Sequence, residues 1–459
     1  MRSHVRFLAV FLAVATGGLF LAAAFSVGVD PYAAFGTPPI PGLTTEKSRP
    51  DHITKPYTVL RGDYDTLIVG SSRSRDIFCP DLAALYPGQT VRCYNGGIAH
   101  ADFPMSRRMA DHANAVTPLR RLVVALDFFG FNAGGYTPFD KTDAERFLGQ
   151  PGKLPGGLVS DVCRLLFSRA ALEKAVETIN RSRLAATPRP VETADAATPP
   201  VSPSPDAGQA RPETAAAAPP APRPAPHAAA EPTVAVPTPT PPKPAATAPA
   251  TTPPEPAAAP ASAAHNPFLG FYPAVLKFYR NYSFTHPRTG ASTLDELRDL
   301  LVSCRRRGIE TSVLINPFHA VMLDVLRQAG LWDRYLAWKA AVADVVAGVN
   351  ATGPGPRVAL WDFSGYNPVT VEPVLVDGQL RNELEYFADP FHYKRNVGAL
   401  MLRRMIAGEE AVPGFGRELT PAEAAAEPAR LEAGHEAFLR GQAAYVDMAL
   451  GRQTAGSKP

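Results

Sequence analysis

Short apolar runs that end in small or polar residues recur along the chain. Residues 65–69 run into Gly70-Ser71-Ser72, and residues 91–94 into Asn95-Gly96-Gly97. Residues 121–128 are apolar almost throughout, 309–315 end at Asn316-Pro317, and 357–363 close on Ser364-Gly365. The first and third runs, apolar and without polar alternation, predict strands buried on both faces, and the others predict further strands. Between them a 3.6-residue spacing predicts helices over 80–85, 104–116, 160–183, 292–307, 319–328, 331–346 and 394–406. In the segment 160–183 the expected buried face carries Leu165, Leu166, Leu172 and Ile179. Strands that alternate with helices imply an α/β fold with a parallel sheet covered on both sides.

The pattern differs at the N-terminus. Arg2, His4 and Arg6 precede an uncharged apolar run from Phe7 to Val29, which as a helix is about 34 Å long and long enough to cross a bilayer. Basic residues in front predict a cytoplasmic N-terminus and an exported remainder. Two readings fit: an uncleaved single-pass anchor, which the length favours, or a signal peptide cleaved near Ala22-Ala23-Ala24. After it, residues 30–60 are rich in Pro, Gly and Thr and are expected to form an extended approach to the domain.

The 49 prolines of the chain are not evenly spread. Residues 186–264 are mostly Pro, Ala, Thr and Glu, a composition that cannot bury enough apolar surface to offset its conformational entropy. This stretch is expected to be disordered and to interrupt one domain, because only three strands precede it. The expected organisation is therefore a membrane segment (1–29), the approach (30–60), two domain halves (61–185 and 265–410) around the insertion, and a partly helical tail (411–459).

Charge and cysteines narrow the functional classes. The 46 basic residues are interspersed with 43 acidic ones, and no basic stripe stands out, so nucleic acid is not an expected partner. The four cysteines show no Cys-x-x-Cys spacing, so neither a zinc site nor any other metal or cofactor is expected. In an exported chain they can form disulfides; of the three possible pairings, one with Cys79 joined to Cys93 brings together residues that flank one short helix.

Candidate chemistry sits at the strand ends. Ser72 follows the first strand at a glycine turn, where a hydroxyl can stand beside free backbone N–H groups, although Ser71 or Ser72 at such a turn also serves simply to cap a helix. Asp389-Pro390-Phe391-His392 places a carboxylate and an imidazole three residues apart, as a base and its orienting group require; Asp389 as a helix cap is the plainer alternative. His319 and Asp362, at the ends of the fourth and fifth strands, fall on the same sheet edge if the strands are parallel. Together with Arg73 they are candidates for substrate binding, and Arg75 could serve an anionic group. The aromatic run Phe268, Phe271, Tyr272, Phe278, Tyr279 and Tyr282 is expected to pack in the core or to stack on sugar rings.

Gly70-Ser71-Ser72, Gly96-Gly97 and Asp389-Pro390-Phe391-His392 together resemble the SGNH/GDSL hydrolase superfamily. The resemblance implies a flavodoxin-like three-layer α/β/α sandwich with Ser72 as nucleophile, His392 as base and Asp389 as its orienting acid. The backbone N–H groups of Ser72 and Gly97 would form the oxyanion hole. The chain departs from the family pattern after the third strand, where Asp127 stands in place of an Asn. An ionised carboxylate accepts hydrogen bonds only, so Asn95 or Asn132 would have to supply the missing donor. A membrane anchor followed by an exported domain is similar to envelope proteins of D-alanine transfer and polysaccharide O-acetylation. By that resemblance, the chain is expected to be an inner-membrane serine esterase or O-acyltransferase acting on a cell-envelope polysaccharide. Its partner would be a multispanning membrane acyltransferase. The alternative is a catalytically inactive protein that binds glycan, or a partner, in the same cleft.

Overall fold

The computed structural model describes residues 2–45, 51–134, 158–186, 266–279 and 281–452. Its centre is a six-stranded sheet in the order β2-β1-β3-β4-β5-β6. The strands are β1 (Thr66–Val69), β2 (Cys93–Asn95), β3 (Arg121–Leu126), β4 (Glu310–Ile315), β5 (Ala359–Asp362) and β6 (Arg417–Glu418). The first five are parallel, and β6 runs antiparallel along the edge of β5. Every residue of β1 and β3 is buried, as the unbroken apolar runs require of strands covered on both faces.

The helices that cover the sheet form two groups. α4 (Phe103–Val116) packs against α2 (Asp51–Arg61) and α8 (Thr293–Arg306). α8 in turn packs against α10 (Trp332–Ala351), and α10 against α12 (Pro421–Ala449). The second group is α3 (Cys79–Ala83) with α11 (Arg395–Leu402), which also leans on the 3-10 turn Ser72–Asp76. Phe128, Tyr282, Tyr335 and Trp338, all almost fully buried, meet at the centre, with Phe128 stacked on Tyr282 at 4.3 Å.

The sheet runs straight across the Pro/Ala-rich stretch: β3 pairs in register with β4, from Arg121 with Glu310 to Leu126 with Ile315. The two flanking parts thus build one unit. The stretch itself, apart from Ala186, lies outside the described residues, as does the end of the tail after Arg452.

Three expectations are corrected. Residues 30–60 are not extended throughout, because α2 occupies Asp51–Arg61 despite Pro56. The expected helix 160–183 is two helices, α5 (Leu158–Phe167) and α6 (Arg169–Ala186), with the Ser168 hydroxyl accepting from Ala171 N where α6 begins. α6 buries the small residues Ala171, Ala175, Thr178 and Ser182, while Leu172 and Ile179 are only half-buried. The C-terminal region is no tail: α12 buries Leu431, Phe438, Tyr445 and Val446 in the domain core. Its Ala- and Glu-rich surface hides these anchors in the sequence.

α1 (Arg2–Val29) is long and apolar enough to cross a membrane. Cys79 and Cys93 are joined in a disulfide that ties α3 to β2, while Cys163 and Cys304 are free. The bridge closes a loop of 14 residues. Replacing both cysteines by alanine should therefore cost about 3 kcal/mol of stability, read from denaturant titrations.

Candidate active site

The site lies where the strand order turns back on itself. From β1 the chain moves to β2 on one side and returns to β3 on the other, leaving a crevice beyond the carboxyl ends of β1 and β3. Gly70 makes the approach possible, because a Cβ there would meet Ala125 O at 2.7 Å. Ser71 then caps the 3-10 turn, its hydroxyl accepting from Arg73 N, and Ser72 stands half-buried at the start of that turn. Asn95, at the end of β2, braces the turn by donating from Nδ2 to Ser74 O at 2.7 Å and to Ile77 O at 2.9 Å.

The structure brings Ser72, His392 and Asp389 together. Ser72 Oγ lies 3.0 Å from His392 Nε2, and His392 Nδ1 lies 2.8 Å from Asp389 Oδ2. The other carboxylate oxygen, Oδ1, accepts from Phe391 N at 2.7 Å and His392 N at 2.9 Å, so the turn orients its own acid. Partial burial pushes the Asp389 carboxyl up, but the His392 ring and these backbone N–H groups outweigh it and hold it below the usual carboxylate range. An ionised Asp389 requires the proton on His392 Nδ1. That leaves the Nε2 lone pair to accept from Ser72 Oγ–H, the arrangement a serine nucleophile needs.

Asp127, where the resemblance expects an Asn, faces inward rather than toward Ser72 Oγ. It accepts from Ser71 Oγ, from Asn316 Nδ2 at 3.2 Å, and pairs with Arg73 Nε at 3.0 Å. Tyr393, the neighbour of His392, donates to Asn316 Oδ1 at 2.9 Å. The residues flanking Ser72 and His392 are thus fastened to one buried pair, Asp127 and Asn316, at the ends of β3 and β4.

Several expected roles do not match the positions found. Arg73 is 5 % exposed, held by Asp127 and lying over the Phe129 ring, so it is structural rather than a ligand-binding group. His319 is wholly buried among Phe268, Phe387, Phe438 and Tyr445, with Nε2 donating to Glu372 O at 2.8 Å. Asp362 is buried against Lys339 at 2.7 Å and Arg417 at 3.0 Å. Asn95 spends its amide on the Ser72–Asp76 turn and is no oxyanion donor. Gly97 comes close behind that turn, where a Cβ would strike Ser74 Oγ, and its N–H donates to Asn95 Oδ1 at 2.9 Å. Asn132 Oδ1 accepts from Ser283 N and Gly134 N, bracing a loop. Of the aromatic run, Phe268 and Tyr282 are core residues and Phe271 and Tyr272 are half-buried. The side chains of Phe278 and Tyr279 lie outside the described residues.

Sequence reading missed the contribution of α2. Lys55 donates to Gly97 O, and Asp51 Oδ2 accepts from Ala99 N at 3.2 Å and faces Arg75 at 3.5 Å. The spacing of Ile53, Tyr57 and Leu60 was the available signal; Pro56 within it obscures the pattern.

Burial lowers the His319 pKa to about 4. Because the unfolded chain binds the proton near pH 6.5, stability should fall as pH drops below about 6.5 and level off below about 4. At pH 5 this amounts to on the order of 2 kcal/mol, and His319→Gln should remove that part of the pH dependence in denaturant titrations.

Comparison with protein-family models, with curated protein sequences and with solved structures gives no match.

Proposed function

We propose that the chain is an exported, membrane-anchored serine esterase or O-acyltransferase of the SGNH/GDSL hydrolase type, acting on acyl groups of a cell-envelope polysaccharide. The observation that carries this reading is the hydrogen-bonded series Ser72 Oγ, His392 and Asp389. The flavodoxin-like assignment is supported by the order 2-1-3-4-5 of the parallel strands, with Ser72 at the switch point. Export is supported by α1 and by a disulfide suited to an oxidising compartment. The anchor would sit in the inner membrane with its N-terminus in the cytoplasm. The polysaccharide, and a multispanning acyltransferase as donor partner, rest on the resemblance.

In this mechanism His392 Nε2 takes the Ser72 hydroxyl proton as Oγ attacks the acyl carbonyl. The tetrahedral oxyanion is met by the Ser72 N–H; Gly97 N–H joins if it leaves Asn95 Oδ1. His392 then protonates the departing oxygen, and acyl-Ser72 is released to water or to a sugar hydroxyl. A second reading, a glycan- or partner-binding protein without catalysis, is favoured by one observation: the amide expected after β3 is replaced by Asp127, which is committed to Arg73.

A fluorophosphonate probe distinguishes the two. Stoichiometric labelling at Ser72, located by peptide mass spectrometry and absent in His392→Ala, is the expected result. A folded protein that neither reacts nor hydrolyses a chromogenic acetyl ester overturns the catalytic reading.

A further inference from the structure

α5 has its polarity turned inside out for a helix on a water-facing surface. Val159, Cys163 and Phe167 recur at four-residue spacing on its outer face; Val159 is 77 % and Phe167 40 % exposed, and Cys163 is exposed as well. The opposite face carries a buried carboxylate, Asp161, which accepts from Tyr57 OH of α2 at 2.6 Å, and the buried Leu165. A helix whose outer side meets water normally shows the reverse arrangement.

The element on which α5 rests says what covers its apolar side. α5 and α6 pack on the last turns of α1, where Ser26 Oγ donates to Leu166 O at 2.9 Å and Ser26 and Val29 are buried. Earlier in α1, Phe7, Phe11, Phe20 and Leu21 stand exposed. A hydrocarbon layer takes up about 20 helical residues, so one that begins after Arg6 ends near Ser26, at the level of α5. Arg164 of α5 and Arg169 at the start of α6, which also pairs with Glu173 at 2.7 Å, are exposed and long enough to reach lipid phosphates.

We propose that α5 lies in the outer interface of the bilayer, with Val159, Cys163 and Phe167 immersed among the lipids beside the emerging end of α1. The assignment rests on the anchoring part of the reading above and not on its chemistry. Asp161 and Tyr57 would then fasten α2, and through Lys55 and Asp51 the Gly97–Ala99 turn, to a membrane-seated helix.

Cys163 offers a native reporter, since Cys304 is buried and the other two cysteines are bridged. The full chain, labelled with an environment-sensitive maleimide, is reconstituted in vesicles of phosphatidylethanolamine and phosphatidylglycerol, with Cys163→Ser as the labelling control. The expected result is blue-shifted emission, quenching by a lipid with a nitroxide near its headgroup, and several-fold weaker quenching by iodide than for the free dye. Val159→Asp with Phe167→Asp should restore access to iodide while α1 still resists carbonate extraction. Full iodide quenching of the parent with α1 resistant to carbonate overturns the proposal alone. A label shielded from iodide and from the nitroxide lipid alike means that protein covers this face, and it overturns the lipid assignment. Extraction of the chain by carbonate overturns the anchor, and this proposal with it.

Discussion

Ser72→Ala is expected to lower kcat/KM for hydrolysis of a chromogenic acetyl ester by about 10⁴-fold or more, with the fold unchanged by circular dichroism. His392→Ala should fall to the same level, and the double variant no further, because nucleophile and base act as one unit. Asp389→Asn leaves the turn in place but no longer demands the proton on His392 Nδ1, and a loss of up to about 10⁴-fold in kcat is expected. Equal activity in the Ser72→Ala protein would contradict these roles.

Lys339→Met should be the most destabilising of the substitutions considered. The Lys339 ammonium, 1 % exposed, lies 2.7 Å from Asp362 and against Glu427, and it donates to Ser364 Oγ at 3.2 Å. Burial disfavours its charge, but Asp362 and Glu427 outweigh this and raise its pKa above the ordinary lysine value. Removing the cation leaves two buried carboxylates with only Arg417 shared between them and Arg430 on Glu427, a change that typically costs about 3–5 kcal/mol by denaturant titration. The sign of the pH effect follows from the same contacts. Burial pushes Asp362 up, but Lys339 and Arg417 outweigh it and hold the carboxyl below the usual carboxylate range. Without Lys339, protonation relieves the unpaired charge, and the deficit relative to the parent should shrink as pH falls toward the carboxylate range. A deficit that is constant with pH would mean that lost packing, not lost charge pairing, dominates.

These two sites show why part of the molecule was legible in sequence and part was not. Thr66–Val69 and Arg121–Leu126 announce themselves because buried parallel strands need unbroken apolar runs. Ser72, Asp389 and His392 stand out because a hydroxyl, a carboxylate and an imidazole are each recognisable at a turn, and the fold brings them together. Asp362 and His319 occupy strand ends of the same kind, so position alone gives them the same promise. What separates them is burial, by the Lys339–Glu427 pairing for one and by Phe438 and Tyr445 of α12 for the other. The helix responsible reads as an Ala/Glu-rich tail. Arg73 is a similar case: beside a serine it looks like a ligand for anions, and only the fold reveals Asp127, far along the chain, as its partner.

The pairing of β3 with β4 also bears on how the chain reaches its native state. These strands are neighbours in space, yet the Pro/Ala-rich stretch and its flanks lie between them in sequence, so their contact closes the longest loop within the sheet. Closure entropy grows only with the logarithm of loop length, about 0.6 kcal/mol for each doubling. Residues 187–265 less than double that loop, so shortening the stretch should change stability by no more than this. Its length is nearly free of thermodynamic constraint, whereas the search that joins β3 to β4 remains a long-range step and makes slow folding the expectation for this domain.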